Sequence, residues 1–347
     1  MAERSKVVFV APSLRTGSAA AAPADPVLAW RDDPDIDAWH ARLDLPLLAR
    51  DIARADIVHI VPSPCPSFLG TPLRAMLIAR ALGTPVVLNY ESGEVPDHLQ
   101  RSVLARAAIG HLDTIVVPSR HLVEVFKGFG IDARLVPNFV DLQRFRFRER
   151  DPLRPRLLCV GELDALHNVA TTIRAFKIVQ DQWCDASLTL VGDGPQEADL
   201  RALVAQLGLR HVTFVDMVPP GAIAGVYADN DIYLQSPNID NWPTSVIEAF
   251  ASGLPVVSTE AGGVPPILTH GVHGWLAPLA DYQTLGHHVL RLLANPAHAR
   301  ALARAAYATC DACTWPEVRG QWVRTYRSMI ARVSAPVRHI RGHQDPA

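Results

Sequence analysis

The chain has 347 residues, of which 49% are hydrophobic, and its formal net charge is −2. This length favours two domains over one. The near-neutral charge balance gives no sign of a nucleic-acid-binding protein, and no apolar run reaches the roughly 20 residues that a membrane span needs. The chain enters a strand-like run almost at once, without a signal-peptide pattern, which predicts a cytoplasmic location.

Short apolar runs alternate with helical patterns along the chain. Most of these runs lack polar alternation, so both faces of each predicted strand are expected to be buried, as in parallel sheets covered by helices. The alternation predicts doubly wound α/β sheets. The predicted strands are 7–12, 57–62, 85–90, 114–119, 134–138, 156–161, 187–192, 212–216, 231–236, 255–259 and 274–278. The stretch 13–44 carries no such run and is predicted to be irregular.

The predicted strands fall into two sets, separated by the arginine-rich stretch 141–155. We interpret this stretch as a solvated linker. Contact with an anionic membrane surface or with a phosphate-bearing acceptor is the alternative interpretation, and the first of these would make the protein a peripheral membrane protein. Residues 1–140 are then the first domain and residues 156–314 the second.

The C-terminal part of the chain predicts one long helix, residues 315–333. Trp322, Tyr326 and Ile330 follow one another at helical spacing in it, so the helix has one apolar face. We predict that this face packs back on the first domain. Residues 334–347 are predicted to form a tail.

One predicted helix carries an isolated carboxylate. After the strand run 231–236 the chain passes Asp240 and reaches "PTSVIEAFASG", where Pro243 suits the first turn of a helix and Gly253 suits its C-terminal cap. Glu248 is the single formal charge between residues 241 and 259. A buried carboxylate is costly unless it is paired or used, so Glu248 calls for an explanation.

The position of this helix predicts a phosphate site. Doubly wound sheets bind ligands at the carboxyl ends of their strands, and the free amides of a helix that begins there bind phosphate. These amides belong to the segment 241–245, and Glu248 lies one turn away on the face of Thr244 and Ser245, where the ribose of a nucleotide would follow. Asp240 would lie beyond the phosphate, near a transferred group. The alternative is a helix-capping Asp240 and a Glu248 that forms a salt bridge in an interdomain crevice.

Two further strand ends carry glycines. "LVGDGPQEADL" (190–200) allows a tight turn and a close backbone approach, and taken alone it favours a simple turn over a binding site. The pair Gly262–Gly263 would let a substrate approach the backbone or would form a plain turn, and a short helix is predicted at 264–271. No GxGxxG pattern, Walker A lysine loop or G-x-S-x-G elbow occurs in the sequence, which disfavours a nicotinamide-dependent oxidoreductase.

The stretch "SPNIDNWPTSVIEAFASGLPVVSTEAGGVPPIL" resembles the signature of the family-4 retaining glycosyltransferases, the glycosyl transferases group 1. "LVPNFVDLQRF", "LVGDGPQEADL" and "HGVHGWLAP" match other landmarks of that family in order and spacing, over residues from about 115 to 330. The resemblance implies the GT-B fold, two Rossmann-like doubly wound domains that face a cleft. It also implies transfer of a sugar from a nucleotide-diphosphate donor with retention, without a cofactor and usually without a metal, to an acceptor held on the side of the first domain.

The resemblance assigns roles to residues of this chain. Glu248 would hold the ribose hydroxyls, Asp240 would lie near the donor sugar, and Glu91 occupies a position where the family often has a histidine. The implied catalytic residues are Asp240, Glu248 and Glu91. The implied donor-binding residues are Gly161, Glu162, His167, Gly192, Asn241, Trp242, Pro243, Thr244, Ser245 and Glu248.

The chain departs from the family where two cations usually neutralise the leaving diphosphate. The family pattern "VGRLxxxKG" corresponds here to "VGELDALHN", so Glu162 stands at the arginine position and His167 at the lysine position. A glutamate there repels a diphosphate, and a protonated histidine would replace the lysine in part.

Three functions remain open from the sequence. The first is a glycosyltransferase in polysaccharide or glycoconjugate synthesis, with an unknown lipid-linked or glycan acceptor. The second is a non-catalytic GT-B scaffold or partner subunit that binds nucleotide sugar weakly. The third is a GT-B epimerase, which would need more acids, bases and arginines in the cleft than the sequence offers.

Overall fold

The computed structural model describes residues 4–11, 26–61, 70–91 and 99–334, so the predicted tail lies almost wholly outside the described residues. Within these ranges the chain forms two six-stranded sheets. All paired strands in both sheets run parallel. The predicted fold class, doubly wound α/β sheets, is confirmed.

The first sheet has the order β2-β1-β3-β4-β5-β6. Its strands are β1 (Ser5–Val10), β2 (Ile36–His40), β3 (Ile57–Ile60), β4 (Val86–Asn89), β5 (Thr114–Val117) and β6 (Arg134–Leu135). All four residues of β3 and of β4 are buried, because helices cover both faces of a parallel sheet. This burial explains why both strands are mainly apolar in sequence, with His59 in β3 and Asn89 at the end of β4 as the exceptions.

The second sheet has the order β12-β11-β10-β7-β8-β9. Its strands are β7 (Arg156–Val160), β8 (Ser187–Val191), β9 (Val212–Val215), β10 (Ile232–Leu234), β11 (Val256–Thr259) and β12 (Gly274–Ala277). The chain moves outward from β7 to β9 and then returns to the other side of β7 with β10. The strand order therefore reverses between β7 and β10, and a crevice opens at the carboxyl ends of these two strands.

Helices connect the strands and cover the sheets. In the described residues they are α1 (Pro26–Ala29), α2 (Leu45–Ala53), α3 (Thr71–Leu82), α4 (Val103–Gly110), α5 (Arg120–Gly128), α6 (Val169–Gln182), α7 (Glu197–Gln206), α8 (Ile223–Asp229), α9 (Thr244–Ser252), α10 (Tyr282–Ala294), α11 (Pro296–Tyr307) and α12 (Trp315–Ser334), with a further short turn of helix at 99–101. Several begin at a side-chain cap: Ser119 accepts from the amide of Leu122, and Asp281 from that of Thr284.

Strand β2 lies in the stretch predicted to be irregular, so that prediction is wrong for residues 36–40. This strand is at the edge of the first sheet, and Ile36 is its one buried residue, so it carries no apolar run. Asp33 starts it: its Oδ1 accepts the amides of Asp35 (2.9 Å) and Ile36 (3.1 Å). An edge strand with one solvated face inside an acidic stretch gives a weak signal.

The prediction of a short helix at 264–271 is also wrong. This segment forms a series of turns. Pro265 and Pro266 have no amide hydrogen to donate, and Pro266 disfavours the helical conformation of the residue before it, so a regular helix does not form.

Helix α12 lies against the first sheet, on the side opposite α2 and α3. Its Trp322 and Tyr326 are buried among core residues of β1, β3, β4 and β5, and Ile330 packs at the edge of the same cluster. A 2.7 Å hydrogen bond joins the Tyr326 hydroxyl to His59 Nδ1 of β3. Burial lowers the pKa of His59 to about 3, so this histidine is neutral in the core.

The linker is not solvated throughout, which corrects our interpretation of the stretch 141–155. Arg150 is 1% exposed, and its guanidinium donates to the carbonyl oxygens of Tyr227 (2.9 Å), Asn230 (3.1 Å) and Ser252. Those carbonyls lie at the ends of α8 and α9, where a helix leaves acceptors unpaired. Because one guanidinium offers five donors in a plane, a single arginine satisfies both helix ends and holds the linker on the second domain.

Candidate functional site

The crevice between β7 and β10 is bordered by two loops that are hydrogen-bonded to each other. One loop follows β7 at Gly161, and the other follows β10 and runs to Pro243. The amide of Asn238 donates to the carbonyl oxygen of Leu166 (2.7 Å), and the Ser236 hydroxyl donates to the carbonyl oxygen of Asn168 (2.8 Å). The residues that the sequence singled out at these two strand ends therefore lie side by side.

Helix α9 begins at this crevice and is the helix predicted from "PTSVIEAFAS". Pro243 precedes its first residue, Thr244. The helix ends at Gly253, whose φ of 76° is left-handed, and a Cβ at this position would lie 2.6 Å from the carbonyl oxygen of Arg148. Glycine is thus required at this end by both conformation and space. The amino end of α9 points its free amides at the crevice, as an anion site requires.

Glu248 lies one turn inside α9 and is 2% exposed. Its Oε2 accepts a 2.8 Å hydrogen bond from the Tyr227 hydroxyl of α8. Burial raises the pKa of Glu248 to about 7, although the Tyr227 hydrogen bond and the charge of Arg144 both act to lower it. The carboxylate is therefore neither paired with a cationic side chain in contact nor exposed to solvent.

Asp240 lies in the turn before α9, and its Oδ1 accepts the amide of Trp242 (3.1 Å). Burial raises the pKa of Asp240 to about 6, against the opposing effects of His167 and of the Trp242 amide. Two carboxyl groups with raised pKa values thus border one crevice, which is typical of functional sites.

His167 lies over Gly161 at the end of β7. A Cβ at Gly161 would be 3.0 Å from Cδ2 of the imidazole, so the glycine leaves room for the ring. The Nδ1 of His167 donates to Oδ1 of Asp164 at 2.8 Å. Burial lowers the pKa of His167, but the Asp164 hydrogen bond and the negative charges of Asp164, Asp240 and Glu162 outweigh it, and the pKa is raised.

Glu162, at the position of the family arginine, is exposed at the mouth of the crevice. Its negative charge acts on His167 next to it. The loop after β8 supports this arrangement: Leu163 donates its amide to the carbonyl oxygen of Asp193 (2.8 Å), and a Cβ at Gly194 would lie 2.5 Å from the carbonyl oxygen of Leu163. Gly192, which we predicted to bind the donor, begins this supporting loop.

The paired glycines after β11 approach protein backbone. A Cβ at Gly263 would lie 2.0 Å from the carbonyl oxygen of Asn241, and the Gly263 amide donates to the carbonyl oxygen of Asp240 (2.6 Å). A Cβ at Gly262 would lie 3.1 Å from the ring of His121, which belongs to α5 of the first domain. These glycines hold the turn that carries Asp240, where we had expected either room for a substrate or a plain turn.

Glu91 of the first domain contacts this site. It follows β4, and its carbonyl oxygen accepts a 2.9 Å hydrogen bond from Nδ2 of Asn241 across the cleft. Asn89 donates to its carboxylate at 2.8 Å. Burial raises the pKa of Glu91, although hydrogen bonds from Asn89 and Asn138 act to lower it. A third carboxyl group with a raised pKa therefore lies next to Asn241.

Sequence reasoning missed two residues of this site, Asp164 and Tyr227. Asp164 precedes His167 by three residues, a spacing that allows an i, i+3 contact and could have indicated the pair. Tyr227 is far from α9 in the sequence, and no local pattern marks its contact with Glu248. Within the described ranges, no three His, Cys, Asp or Glu side chains are grouped so that they could hold a metal ion. A search of the same residues finds no helix that is long and apolar enough to cross a membrane.

Comparison with known proteins identifies matches along most of the chain. Residues 1–144 match the family model "Glycosyltransferase Family 4", and residues 143–309 match the model "Glycosyl transferases group 1". The amylovoran biosynthesis glycosyltransferase AmsK of Erwinia amylovora is 33% identical over 162 residues, which are 44% of this chain and 40% of that protein. The D-inositol 3-phosphate glycosyltransferase of Segniliparus rotundus is 27% identical over 293 residues, 79% of this chain and 65% of that protein. The chain thus matches less than two thirds of the length of either relative.

Among solved structures, Anabaena Alr3699/HepE in complex with UDP-glucose superposes with a TM-score of 0.75 at 17% identity, covering 93% of this chain and 99% of that one. This similarity concerns the fold. The two family models follow one another over residues 1–309 and agree with the two facing Rossmann-like sheets. The chain belongs to the glycosyltransferases of family 4 and group 1, and its fold is the GT-B fold.

Proposed function

We propose that this protein transfers a sugar from a nucleotide-diphosphate donor to an acceptor with retention of configuration, in the synthesis of a polysaccharide or another glycoconjugate. The observation that carries the proposal is the amino end of α9 at the β7–β10 crevice, flanked by the carboxyl groups of Asp240 and Glu248. An anion site followed by a buried hydrogen-bond acceptor one turn below fits a diphosphate and the ribose attached to it.

In the proposed donor complex, the amides of Asn241, Thr244 and Ser245 hold the diphosphate and Glu248 accepts the ribose hydroxyls. Asp240 faces the donor sugar, on the side toward Glu91 and the first domain. We propose that these amides and a protonated His167 stabilise the charge of the leaving diphosphate without a metal ion. Preorganised donors aimed at developing charge contribute more to transition-state stabilisation than to substrate binding.

The second candidate is a GT-B scaffold that binds nucleotide sugar weakly and does not turn it over. Glu162 favours it, because a carboxylate at the mouth of the crevice repels a diphosphate. The Asp164–His167 pair favours the enzyme, because the hydrogen bond and charge of Asp164 raise the pKa of His167 and so favour its cationic form at the position where the family usually has a lysine.

Thermal unfolding of the purified protein with UDP-, GDP- and ADP-sugars separates these candidates. A donor at 100 times its Kd should stabilise the folded state by about 2.7 kcal/mol, which raises Tm by several degrees. Donor hydrolysis measured on the same samples then reports turnover. Stabilisation without hydrolysis would favour the scaffold, and the absence of both with every donor would exclude the proposed function.

Restoring a cation at Glu162 should tighten binding of the diphosphate. The change Glu162→Arg removes a repulsive charge and adds a guanidinium that can bind phosphate with two hydrogen bonds, so we expect Kd for UDP or GDP to fall about tenfold or more. The measurement is isothermal titration at 50 and 300 mM salt, since an exposed charge effect should shrink with ionic strength. Glu162→Gln is the matched control and should give an intermediate value. An unchanged Kd in the arginine variant would mean that Glu162 does not face the diphosphate.

A further inference from the structure

Tyr227 of α8 is a fully buried tyrosine whose hydroxyl reaches α9. It lies 2.8 Å from Oε2 of Glu248 and 3.1 Å from the carbonyl oxygen of Ser245. A phenol has one hydrogen to donate, and a carboxylate is the stronger acceptor of the two. When Glu248 is ionised, the hydroxyl therefore donates to Glu248, and its oxygen stays in contact with the first turn of the helix.

We infer that Tyr227 is a positioning residue of the donor site: its hydroxyl fixes the Glu248 carboxylate and the first turn of α9 in the arrangement that accepts the ribose hydroxyls of a nucleotide. This inference rests on the proposed function, because it assigns Tyr227 a role through the ribose contact of Glu248. Tyr227 itself lies beneath α9 and does not line the crevice.

The tyrosine is held from three sides. Its ring stacks on Tyr233 of β10 at a centroid distance of 6.0 Å, and Phe145 of the linker meets it edge-on at 5.6 Å. Its carbonyl oxygen accepts a 2.9 Å hydrogen bond from Nη2 of Arg150, also in the linker. A side chain fixed by two aromatic contacts at its ring and anchored at its backbone has little freedom to leave Glu248, which is what a positioning role requires.

The charges around Glu248 define the expected pH dependence. The groups that face it from other elements are Tyr227, Tyr233 of β10 and Arg144 of the linker. Burial raises the pKa values of both tyrosines well above 10, and the buried thiol of Cys159 beside them has a pKa of about 12, so these three groups stay neutral from pH 6 to 9. Glu248 is then the group of this cluster that titrates near neutrality, and removal of the Tyr227 hydrogen bond should raise its pKa further.

The test compares Tyr227→Phe with Tyr233→Phe, which removes a neighbouring buried hydroxyl that bonds to the Val160 carbonyl and to Gln235. The probes are UDP and GDP and their 2′,3′-dideoxy forms, with Kd measured by titration at pH 6.5, 7.5 and 8.5. In Tyr227→Phe we expect the preference for the ribonucleotide over the dideoxy form to fall about tenfold at pH 7.5, with partial recovery at pH 8.5. Tyr233→Phe should keep both the preference and its pH dependence.

Three other outcomes have defined meanings. If Tyr227→Phe folds and keeps the wild-type ribose preference at each pH, the inference is overturned while the proposed function stands. If the wild type binds neither of these diphosphates, nor ADP, and no sugar donor stabilises it, the proposed function fails and takes the inference with it. If Tyr227→Phe does not fold, Glu248→Gln keeps an oxygen acceptor for Tyr227 but cannot ionise. Its ribose preference should not change with pH, and a wild-type pH dependence in this variant would overturn the inference.

Discussion

Replacement of Glu248 by glutamine is expected to lower kcat/KM for the donor by roughly 10²- to 10³-fold. A hydrogen bond to a charged group contributes about 1.5–3 kcal/mol, and the ribose offers two hydroxyls to this carboxylate. Glutamine has the same size but presents one acceptor and one donor, so it cannot accept both hydroxyls well. The measurement is steady-state kinetics with the donor that stabilises the wild type. A variant with unchanged kcat/KM would show that Glu248 does not contact the donor.

The same substitution should stabilise the folded protein. Glu248 has a pKa of about 7 in the folded state against an ordinary value of 4.5. A carboxyl group with a raised pKa favours folding fully below its unfolded pKa, and this contribution is lost as pH rises through the folded pKa. Each unit of pKa shift corresponds to about 1.36 kcal/mol. Above pH 7, ionised Glu248 should therefore lower the free energy of unfolding by about 3 kcal/mol. Removing the charge removes that cost.

Thermal unfolding between pH 4.5 and 8 measures this effect. Glu248→Gln should unfold several degrees above the wild type at pH 8, and the difference should vanish toward pH 4.5. Glu124→Gln is the matched control, because that side chain is 71% exposed and the change should have little effect at any pH. A variant that gains stability while losing donor turnover would identify Glu248 as a residue retained for function at the expense of stability.

The second large effect concerns His167. His167→Ala should lower donor turnover by about 100-fold or more, because it removes the cation proposed to face the leaving diphosphate. Its raised pKa means that the cationic form is present at low pH and is lost as pH rises. Glu248, with a pKa of about 7, and Asp240, with a pKa of about 6, must instead lose their protons as pH rises. The pH–rate profile should therefore be bell-shaped, with His167 on the alkaline side.

The change His167→Lys separates the two limbs of that profile. Lysine has an ordinary pKa of about 10.4, so the alkaline decline should move to higher pH while the acidic limb stays in place. Asp164→Asn removes the partner that raises the His167 pKa, so its alkaline decline should begin at lower pH. A wild-type profile in both variants would mean that the protonation of His167 does not control the reaction.

The sequence predicted the elements that are buried on both sides. Strands such as β3 and β4 are mainly apolar because helices cover both of their faces. Helix α9 is marked by a proline before it and a glycine after it. The edge strand β2 escaped because its exposed face is polar. The Asp240–Glu248 pair could be predicted from one short stretch of sequence, because a strand end, a turn and a helix follow one another there.

What the sequence could not predict depends on contacts between distant segments. Arg150 was interpreted as part of a solvated linker, because the neighbouring sequence does not indicate that its guanidinium binds the carbonyl oxygens at two helix ends. The same holds for Tyr227, whose partner Glu248 is brought near by the packing of α8 on α9. The Gly262–Gly263 pair was recognised, but the segment that approaches it, the turn at Asp240, is set by the tertiary fold.

The chain passes between its two halves twice, and these passages touch. Just before the linker, the amide of Val140 donates to the carbonyl oxygen of Cys313 at 2.9 Å, two residues before α12 begins at Trp315. The two crossings thus lie side by side and form a paired joint. Anyone who builds a hybrid by exchanging one half with a relative must therefore cut both crossings at the same level, and must move α12 together with the first half that it covers.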